Sequence, residues 1–287
     1  TVDNPFGYGR IIRDNYSLIR RISEEIDATA AERQIKEVNV GAYCFKSQVL
    51  PQALKEIKAN NKKKEYYLTD IIAVMASLGL SIESAEVKGE NEVWGINSRA
   101  DLAAASRIIR KRIMRDFMDN GVTIIDPETT YIDSNVKIGQ DTVIYPFTFI
   151  EKEVTIGANC SIGPLCHIRS HVTLKDNVKL GNFVEVSRSR LDKGAMAKHF
   201  SFLGDSQIGE RVNIGAGVVT ANYDGVNKNL TQISEGAFIG SHTVLVAPVK
   251  IGKKAVTGAG SIVTKRHNVP DYGVVVGVPA KLLKKKR

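Results

Sequence analysis

The sequence predicts a parallel β-helix, because aliphatic residues recur every six positions through the middle of the chain. A period of six fits neither the 3.6 residues of a helical turn nor the alternation of a strand. It is typical of a chain that makes short strands separated by corners and points one aliphatic side chain inward per strand. Three such strands close one coil, and stacked coils bury a continuous column. The series comprises Ile132, Ile138, Ile144, Ile150, Ile156, Ile162, Ile168, Leu174, Leu180 and Val186.

The six-residue register is interrupted twice further along the chain. We expect the interruptions, Ser187–Ser201 and Ala221–Gln232, to leave the coil as loops, which is where solenoids usually carry binding residues. The whole series predicts between six and seven coils, about 32 Å tall at roughly 4.8 Å per coil. The register returns at Phe202, Ile208, Ile214 and Thr220, and then at Ile233, Ile239, Leu245, Ile251, Thr257 and Val263.

Three segments are expected in chain order: a partial α/β region over 1–97, a long linking helix over 98–121, and the solenoid with its tail over 122–287. Ser98 is a good N-cap and Gly121 a good stop for the linking helix, which would be roughly 33 Å long.

Two shorter helices are expected within the front region. The first begins near Ser47 and runs through Lys55–Asn60, as its spaced apolar residues indicate. The second begins at Thr69-Asp70, which can cap it, and stops at Gly79.

Composition and charge limit the classes of function. The net charge is +9, with basic runs at Lys62–Lys64, Arg107–Arg115 and Lys281–Arg287. Aromatic residues are not interleaved with these runs, so anionic small substrates explain the charge better than nucleic acid does. Cys160 and Cys166 fall on adjacent faces of one coil, which argues against a disulfide framework. We therefore expect a cytoplasmic protein, and the longest apolar runs are too short to span a membrane.

A resemblance to one enzyme family covers essentially the whole chain. The family is that of the bacterial bifunctional enzymes that acetylate glucosamine-1-phosphate and then uridylylate N-acetylglucosamine-1-phosphate. It implies that the solenoid is a left-handed hexapeptide β-helix. The matching motifs are Gly7-Tyr8-Gly9-Arg10-Ile11, Glu24-Glu25-Ile26-Asp27-Ala28-Thr29, Glu37-Val38-Asn39-Val40-Gly41, Glu65-Tyr66-Tyr67-Leu68-Thr69-Asp70 and Glu92-Val93-Trp94-Gly95-Ile96-Asn97.

The front region resembles only the second half of the family's uridylyltransferase domain. The half with the glycine-rich loop that cradles nucleotide phosphates is absent from this sequence, so we do not expect uridylyl transfer from this chain alone. The family's sugar-nucleotide contacts map onto Gly9, Glu24 and Asn39, as a vestigial half-site. Asn97 falls at the family's magnesium position, and Mg²⁺ is expected only where the missing part is supplied. A fragment of a longer bifunctional protein is an open alternative.

For acetyl transfer, the resemblance implies His199 as the proton acceptor. Transfer from a thioester to an amine requires a base for the amine proton and donors for the developing oxyanion. Histidine suits that task near neutral pH. Glu185 is expected to orient His199, as a carboxylate does in a catalytic triad. His167, His171, His242 and His267 are expected to be structural or exposed.

Further site residues follow from the same resemblance. Arg169 would contact the sugar phosphate and Asn213 the sugar. Asn222 belongs to both the catalytic and the acetyl-CoA residues. The remaining acetyl-CoA residues would be Ala216, Tyr223, Ser241 and Ala259.

Three positions depart from the family's pattern. A lysine at the sugar phosphate is Ser187 here, a tyrosine at the sugar is Phe202, and an arginine near the CoA phosphates is Gly277. Losing one cation at the phosphate costs on the order of 1–3 kcal/mol of binding. Arg188 or Arg190 would replace the first charge and the basic tail the arginine.

The resemblance further implies a homotrimer, with acetyl-CoA and an amino-sugar phosphate as ligands, in UDP-N-acetylglucosamine and cell-wall precursor synthesis. Two other classes stay open. One is a zinc-dependent hydrating enzyme of the γ-carbonic-anhydrase type, which needs three converging histidines. The other is a non-catalytic trimeric scaffold.

Overall fold

A computed structural model describes residues 1–87, 89 and 92–283 of the chain. The chain divides into two compact units, Thr1–Ser106 and Arg107–Arg287. The division falls inside helix α3, Arg99–Asp119, so the linking helix contributes residues to each unit.

The N-terminal unit is built on one β-hairpin and two short helices. Strands β1 (Arg10–Arg13) and β2 (Ile19–Ser23) pair antiparallel and carry helices α1 (Leu50–Lys55) and α2 (Asp70–Ser77). A 3₁₀ turn at Glu32–Gln34 lies between β2 and α1 in sequence. The unit's small core consists of Ile19, Ile22, Ala53, Ile57, Ile71, Ile72 and Met75.

Two of the three expected helices differ in detail from the expectation. The first is shorter than expected and begins at Leu50, just after Val49. The second starts where expected, but Thr69 makes no side-chain cap; its hydroxyl donates to Glu24 Oε1 at 2.8 Å instead. The hydroxyl is oriented towards Glu24 because a hydrogen bond to a charged carboxylate is stronger than the neutral bond that a cap would accept from a backbone amide.

The linking helix is confirmed, with a capping box at its start. The backbone amide of Asp101 donates to Ser98 Oγ at 3.1 Å, and the amide of Ser98 donates to Asp101 Oδ2 at 2.9 Å. Gly121 follows the helix at φ +86°, a left-handed conformation that favours glycine. Within the solenoid unit, the buried Met114 of α3 belongs to the solenoid core and covers its first turn.

The solenoid is a stack of three parallel sheets, which confirms the β-helix. Sheet 1 contains β3 (Thr123–Ile124), β6 (Val143–Ile144), β9 (Ser161–Ile162), β12 (Lys179–Asn182), β15 (Met196–His199), β18 (Asn213–Ile214), β21 (Phe238–Ile239), β24 (Val256–Thr257) and β26 (Val274–Val276), with β27 (Lys281–Leu282) antiparallel at its end.

The other two sheets complete each turn. Sheet 2 contains β4 (Tyr131–Ile132), β7 (Phe149–Ile150), β10 (His167–Ile168), β13 (Glu185–Ser187), β16 (Phe202–Gly204), β19 (Val219–Ala221), β22 (Val244–Val246) and β25 (Ile262–Val263). Sheet 3 contains β5 (Lys137–Ile138), β8 (Thr155–Ile156), β11 (Thr173–Leu174), β14 (Arg190–Leu191), β17 (Ser206–Ile208), β20 (Thr231–Ile233) and β23 (Val249–Ile251). Eight strands stack in sheet 2 of the described chain, so the expected six to seven coils were too few.

The inward side chain of each parallel strand lies in the interior, as the six-residue period predicts, and it is aliphatic except at Thr220 and Thr257. Residues two positions earlier, such as Val154 and Val172, are buried beside this series. Ile144, Ile150 and Ile168 have no exposed surface, and the buried column runs from Ile124 to Val275. Burial of each such side chain stabilises the fold by about 1.5–3 kcal/mol. The inward Thr220 is satisfied too, because its Oγ1 accepts the amide of Gly204 at 2.8 Å.

The first expected loop, Ser187–Ser201, is wrong. That segment stays in the coil, and the inward residues are Leu191, Ala197 and Leu203 instead of Phe202. The register shifts because the corners from Val186 to Leu191 and from Leu203 to Ile208 are each one residue shorter than the repeat.

The second expected loop is confirmed, because the chain leaves the coil between β19 and β20, over residues 222–230. An antiparallel bridge between Tyr223 and Lys228 closes it.

The three outer faces of the solenoid differ in polarity. The outward residues of sheet 3 are polar: Lys137, Thr155, Thr173, Arg190, Gln207, Gln232 and Lys250. Sheet 2 instead begins with a stack of rings, in which Tyr131 and Phe149 have centroids 5.5 Å apart and His167 meets Phe149 edge-on. Sheet 3 is therefore the face suited to water.

The corrected register has a measurable consequence. We expect Leu203→Ala to lower the free energy of unfolding by about 2–5 kcal/mol, because it opens a cavity in the buried column. Phe202→Ala is the matched control and should cost clearly less, because the Phe202 ring is only partly buried on the outside. Urea denaturation of both variants measures this. A larger loss for Phe202→Ala would contradict the register.

Candidate active site

Four of the six expected acetyl-CoA residues form one row with His199 along one edge of the solenoid, whereas Asn222 and Tyr223 follow strand β19 of sheet 2. We call the corners that lead from sheet 1 to sheet 2 the first edge. On five successive turns, the residue two positions after the inward residue of sheet 1 is a predicted site residue. The strand register fixes the order of this row as His199, Ala216, Ser241, Ala259 and Gly277.

Close stacking explains why glycine precedes three members of this row. A Cβ at Gly215 would lie 2.6 Å from the amide nitrogen of Ser241, and one at Gly240 would lie 2.7 Å from that of Ala259. The turns approach so closely that no side chain fits there. The first edge above His199 is consequently an open track with small side chains. Four steps of roughly 4.8 Å make it about 19 Å long.

His199 stands at the lower end of the track, exposed at the end of β15. The turn above it is lined by two rings, because Phe200 and His242 meet with centroids 5.6 Å apart. A Cβ at Gly217 would lie 2.7 Å from His242 Nδ1. His199 itself is exposed.

The expected sugar-phosphate residues lie at sheet 2 and the second edge, our name for the corners between sheets 2 and 3. Arg169 and Ser187 occupy equivalent positions on successive turns, each directly after the inward residue. Phe202 points outward from sheet 2, one turn above Glu185. Asn213 lies apart from these, on sheet 1 above Met196.

Within one chain, the described contact of Glu185 is with Arg169, and its expected role in orienting His199 stays a prediction. Glu185 lies in sheet 2, and its carboxylate Oε1 lies 2.7 Å from Nε of Arg169. Arg169 attracts it because the two side chains leave adjacent turns on the same face, whereas His199 belongs to sheet 1.

Arg188, Asp205 and Asn222 form a network on the second edge that the sequence did not reveal. The guanidinium of Arg188 donates twice to the Asp205 carboxylate, Nε to Oδ1 at 2.7 Å and Nη2 to Oδ2 at 2.8 Å. Asn222 Nδ2 donates to the same Oδ2. Arg188 above all, and Asn222 as well, hold the pKa of Asp205 below its usual range. The only sequence signal was the shortened register at these corners.

The expected replacement cations are already engaged in salt bridges. Arg188 is bound to Asp205, although its Nη1 also donates to Ser187 Oγ at 2.8 Å. Arg190 is paired with Asp192 at 2.8 Å. Arg188 thus lies beside Ser187, the position of the missing lysine, but Asp205 neutralises its charge. The basic tail was expected to replace the second cation, and its residues 284–287 lie outside the described residues.

The Asp224 carboxylate bonds to several residues of the loop over residues 222–230. Asp224 Oδ1 accepts the amides of Asn227 at 2.8 Å and Val226 at 3.1 Å, while Oδ2 accepts Asn229 Nδ2 at 3.0 Å and Lys265 Nζ at 3.3 Å. These bonds, chiefly that from the Asn227 amide, lower the pKa of Asp224.

Tyr223, an expected acetyl-CoA residue, lies on the same loop. It is largely exposed, and its hydroxyl donates to the carbonyl of Gly225 at 2.5 Å.

One cavity of about 520 Å³ in the N-terminal unit is lined by all four expected sugar-nucleotide residues: Gly9, Glu24, Asn39 and Asn97. Gly9 is held close, since its carbonyl accepts the Asn39 amide at 2.8 Å and a Cβ would lie 2.9 Å from Ile22. Asn39 Oδ1 in turn accepts the hydroxyl of Tyr43 at 2.9 Å. The four residues are therefore brought together around one cavity, and their role at a sugar nucleotide stays a prediction.

The described residues do not fit a magnesium or zinc ion. Within residues 1–87, 89 and 92–283, no group of three or more His, Cys, Asp or Glu side chains is placed to hold a metal. The nearest carboxylate to Asn97 in sequence, Asp101, is used in the cap of α3. His167 and His171 are bonded to Glu151 and Glu153 and do not converge on one point. We derive no reaction step through a metal.

Comparison with known proteins identifies the family. Bifunctional protein GlmU of Carboxydothermus hydrogenoformans is 42% identical over 96% of this chain and 69% of its own length. GlmU of Geobacillus sp. and of Thermosipho africanus are each 44% identical over 96% of this chain and 66% of their own lengths. The chain belongs to the GlmU family. It spans about two thirds of the length of these relatives.

Family models for hexapeptide repeats match the solenoid of this GlmU-family chain. The model for the bacterial transferase hexapeptide covers residues 153–188, and that for the hexapeptide repeat of succinyl-transferase covers residues 231–265. The left-handed hexapeptide β-helix, the family and the acyltransferase class predicted from the sequence are therefore confirmed.

Solved structures of hexapeptide enzymes are only distantly similar. The UDP-N-acetylglucosamine acyltransferase of Francisella novicida shares 17% identity, with 56% of this chain and 70% of its own covered, at a TM-score of 0.39. AntD, an N-acyltransferase of Bacillus cereus in complex with dTDP and coenzyme A, shares 14% identity, with 60% and 89% covered, at a TM-score of 0.31.

All three cysteines, which lie within the described residues, are free thiols. Among the described residues, the helices are too short or too polar to cross a lipid bilayer.

The anchoring of the loop by Asp224 can be tested. We expect Asp224→Asn to make residues 222–230 cleave faster in limited proteolysis at neutral pH, because the charged acceptor is lost. Asp133→Asn, which also removes a carboxylate bonded to one backbone amide, is the matched control and should leave the loop protected.

A pH titration tests the same carboxylate. Because folding lowers the pKa of Asp224, its charged carboxylate contributes fully to stability above the ordinary aspartate pKa of about 3.9. That contribution to stability is lost only as pH falls through the lower pKa of the folded state. The carboxyl carbon of Asp224 should therefore titrate below the ordinary midpoint. A midpoint at or above the ordinary value would exclude the anchoring role.

Proposed function

We propose that this chain is an acetyl-CoA-dependent N-acetyltransferase that acts on glucosamine-1-phosphate or a related amino-sugar-1-phosphate in UDP-N-acetylglucosamine synthesis. The observation that carries the proposal is the row on the first edge, in which an exposed histidine lies at the end of a track of small residues. Membership of the GlmU family supports the same chemistry.

The track suits the donor. Acetyl-CoA carries its thioester at the end of a long flexible arm, and an extended arm needs a narrow path with small side chains. Ala216, Ser241, Ala259 and Gly277 provide one, and it ends at His199. The thioester carbonyl would then lie near the imidazole, which takes the proton from the attacking amine as the C–N bond forms and the C–S bond breaks.

The acceptor side relies on the second edge. Arg169 supplies a cation for the phosphate and is already oriented by Glu185. In this proposal Glu185 positions Arg169, and His199 acts without a carboxylate partner from its own chain. Phe202 presents a ring in place of a hydroxyl, which leaves the choice of amino sugar more open than the choice of donor.

We further propose that the chain works as a homotrimer. The His199 row lies on the first edge, whereas Arg169 and Asn222 lie on the second edge of the same solenoid. A complete site is therefore best formed between neighbouring copies. The first edge has a surface suited to this contact: an exposed apolar column of Phe147, Leu165, Phe183 and Phe200.

Backbone conformation strengthens the argument for an interface. Phe147, Leu165 and Phe183 adopt φ of 58°, 57° and 58°, a left-handed conformation that bulky residues rarely take. At the corners between sheets 3 and 1 the same conformation belongs to polar residue types, and the bulky ones carry a charge or a hydroxyl: Asp141, Asn159, Asn177, Arg211, Lys254 and Tyr272. Bulky apolar side chains are thus kept at a conformational cost, on the edge where we place the neighbouring copy.

The oligomer prediction is specific to that edge. We expect the wild-type chain to elute with three times its 31.4 kDa mass in light scattering, and Phe183→Asp to shift it towards the monomer. Gln207→Asp, on the polar outer face of sheet 3, is the matched control and should leave the mass unchanged. A monomeric wild type would refute the homotrimer.

The catalytic prediction concerns His199. We expect His199→Ala to lower kcat for thiol release from acetyl-CoA by about 100-fold or more, because the base is lost. His171→Ala removes another exposed histidine and should leave kcat within about twofold. The assay compares glucosamine-1-phosphate, galactosamine-1-phosphate and free glucosamine as acceptors.

The same assay separates the proposed enzyme from a non-catalytic scaffold. A scaffold would release no thiol with any acceptor and would show no rise in melting temperature with acetyl-CoA, since a ligand stabilises only a fold that binds it. If the His199→Ala variant still releases thiol, the chain is an enzyme and His199 is not its base.

A further inference from the structure

We propose that Asp205 is a positioning residue that serves both halves of the acetyltransfer site; this rests on the proposed function. Its carboxylate is the shared partner of Arg188, on the acceptor side, and of Asn222, at the root of the loop over residues 222–230. Nothing in the chemistry of acetyl transfer requires Asp205 to touch a substrate.

The local backbone is built around this cluster. Arg188, Asp205 and Asn222 each lie two positions after the inward residue of sheet 2, on three successive turns. Arg188 and Asp205 both adopt φ of 46°, at the two corners that are one residue shorter than the repeat. Because both corners are shortened alike, Arg188 and Asp205 keep equivalent positions on successive turns, where their side chains make the bidentate contact.

Buried serines satisfy the shortened corners. Ser189 Oγ donates to the carbonyl of Ser187 at 2.8 Å and accepts the amide of Ser206 at 2.9 Å. Ser206 Oγ donates to the carbonyl of Gly204 at 2.9 Å. With these bonds made inside the wall, the corners stay in the coil without Asp205, whose side chain is left for Arg188 and Asn222.

Asp205 also holds the loop through its backbone. Its carbonyl accepts the amide of Thr231 at 3.1 Å, where the loop rejoins the coil, and its side chain holds Asn222, where the loop leaves. The carbonyl of Asn222 accepts the amide of Asn229 at 2.7 Å, so the two ends are joined. Asp205 therefore fixes the start and the end of the segment that carries Asn222 and Tyr223.

The two bonded partners predict opposite effects of neutralising Asp205. In Asp205→Asn, Asn222 loses a charged acceptor and the loop loosens, so the KM for acetyl-CoA should rise about 10- to 100-fold, as expected for one hydrogen bond to a charged group. Arg188 is released from its counter-ion beside Ser187. The KM for the amino-sugar phosphate should accordingly stay within about threefold of wild type or fall.

A second variant reverses the pattern. Arg188→Gln leaves the bond between Asn222 and Asp205 and exposes an unneutralised carboxylate at the acceptor side. The KM for the amino-sugar phosphate should rise about tenfold, while that for acetyl-CoA should change by less than about threefold. The matched control is Asp192→Asn, which breaks a salt bridge of similar length with Arg190 on the polar face and should leave both KM values unchanged.

The outcomes distinguish this inference from the proposed function. Equal KM values for wild type and Asp205→Asn, or a parallel rise of both KM values in Asp205→Asn, would overturn the positioning role in an active enzyme. If wild type releases no thiol, the proposed function fails, and hydrogen exchange still tests the network. Amide exchange across residues 222–230 should be faster in Asp205→Asn than in Asp192→Asn, and equal exchange would overturn it. Circular dichroism verifies that each variant is folded.

Discussion

The spacing between stacked strands is the constraint on which the rest of the structure depends. Each turn lies about 4.8 Å from the next, so residues at equivalent corner positions form rows, and whatever one turn presents is repeated directly above it. The interior therefore receives the inward side chain of each parallel strand, from Ile124 to Val275. The same repetition places Ala216, Ser241 and Ala259 in one line above His199. The core and the candidate site are consequences of a single geometry.

Much of the fold was predictable because the repeat is local. Six-residue spacing fixes which residue of each strand points inward, and this identified the column and the second loop. It failed at Phe202, because corners one residue short shift the register without leaving the coil, and the sequence pattern of a short corner is the same as that of an excursion. The apolar column on the first edge was also readable, since Phe147, Leu165 and Phe183 recur once per turn. The inward aliphatic series was predicted, whereas this outward apolar series was not.

The candidate site was less predictable, because it depends on pairing between side chains. The positions of His199, Arg169 and Asn222 followed from resemblance. Their partners did not follow, since a salt bridge such as that between Arg169 and Glu185 depends on which rotamers reach across adjacent turns. The expected substitute for the missing lysine illustrates this difference. Arg188 lies where a substitute is needed, beside Ser187, yet its charge is balanced by Asp205. Charge alone, counted from the sequence, does not give the electrostatic field at a site.

The balanced pairs on the second edge suggest how this edge can accommodate an anion without preassembled excess charge. A free guanidinium pair would repel and disorder the corner, whereas Arg169 and Arg188 are each held in place by one carboxylate. In the proposed function, an incoming phosphate would compete with Glu185 and Asp205 for donors that are already oriented, so little ordering would be required on binding. The cost would be a weaker attraction for the phosphate. Substrate binding would then depend more on the donor side, where the track on the first edge supplies shape in place of charge. In the proposed function, specificity for the thioester arm would then rest on stacking geometry, and recognition of the phosphate would rest on the exchange of one anion for another.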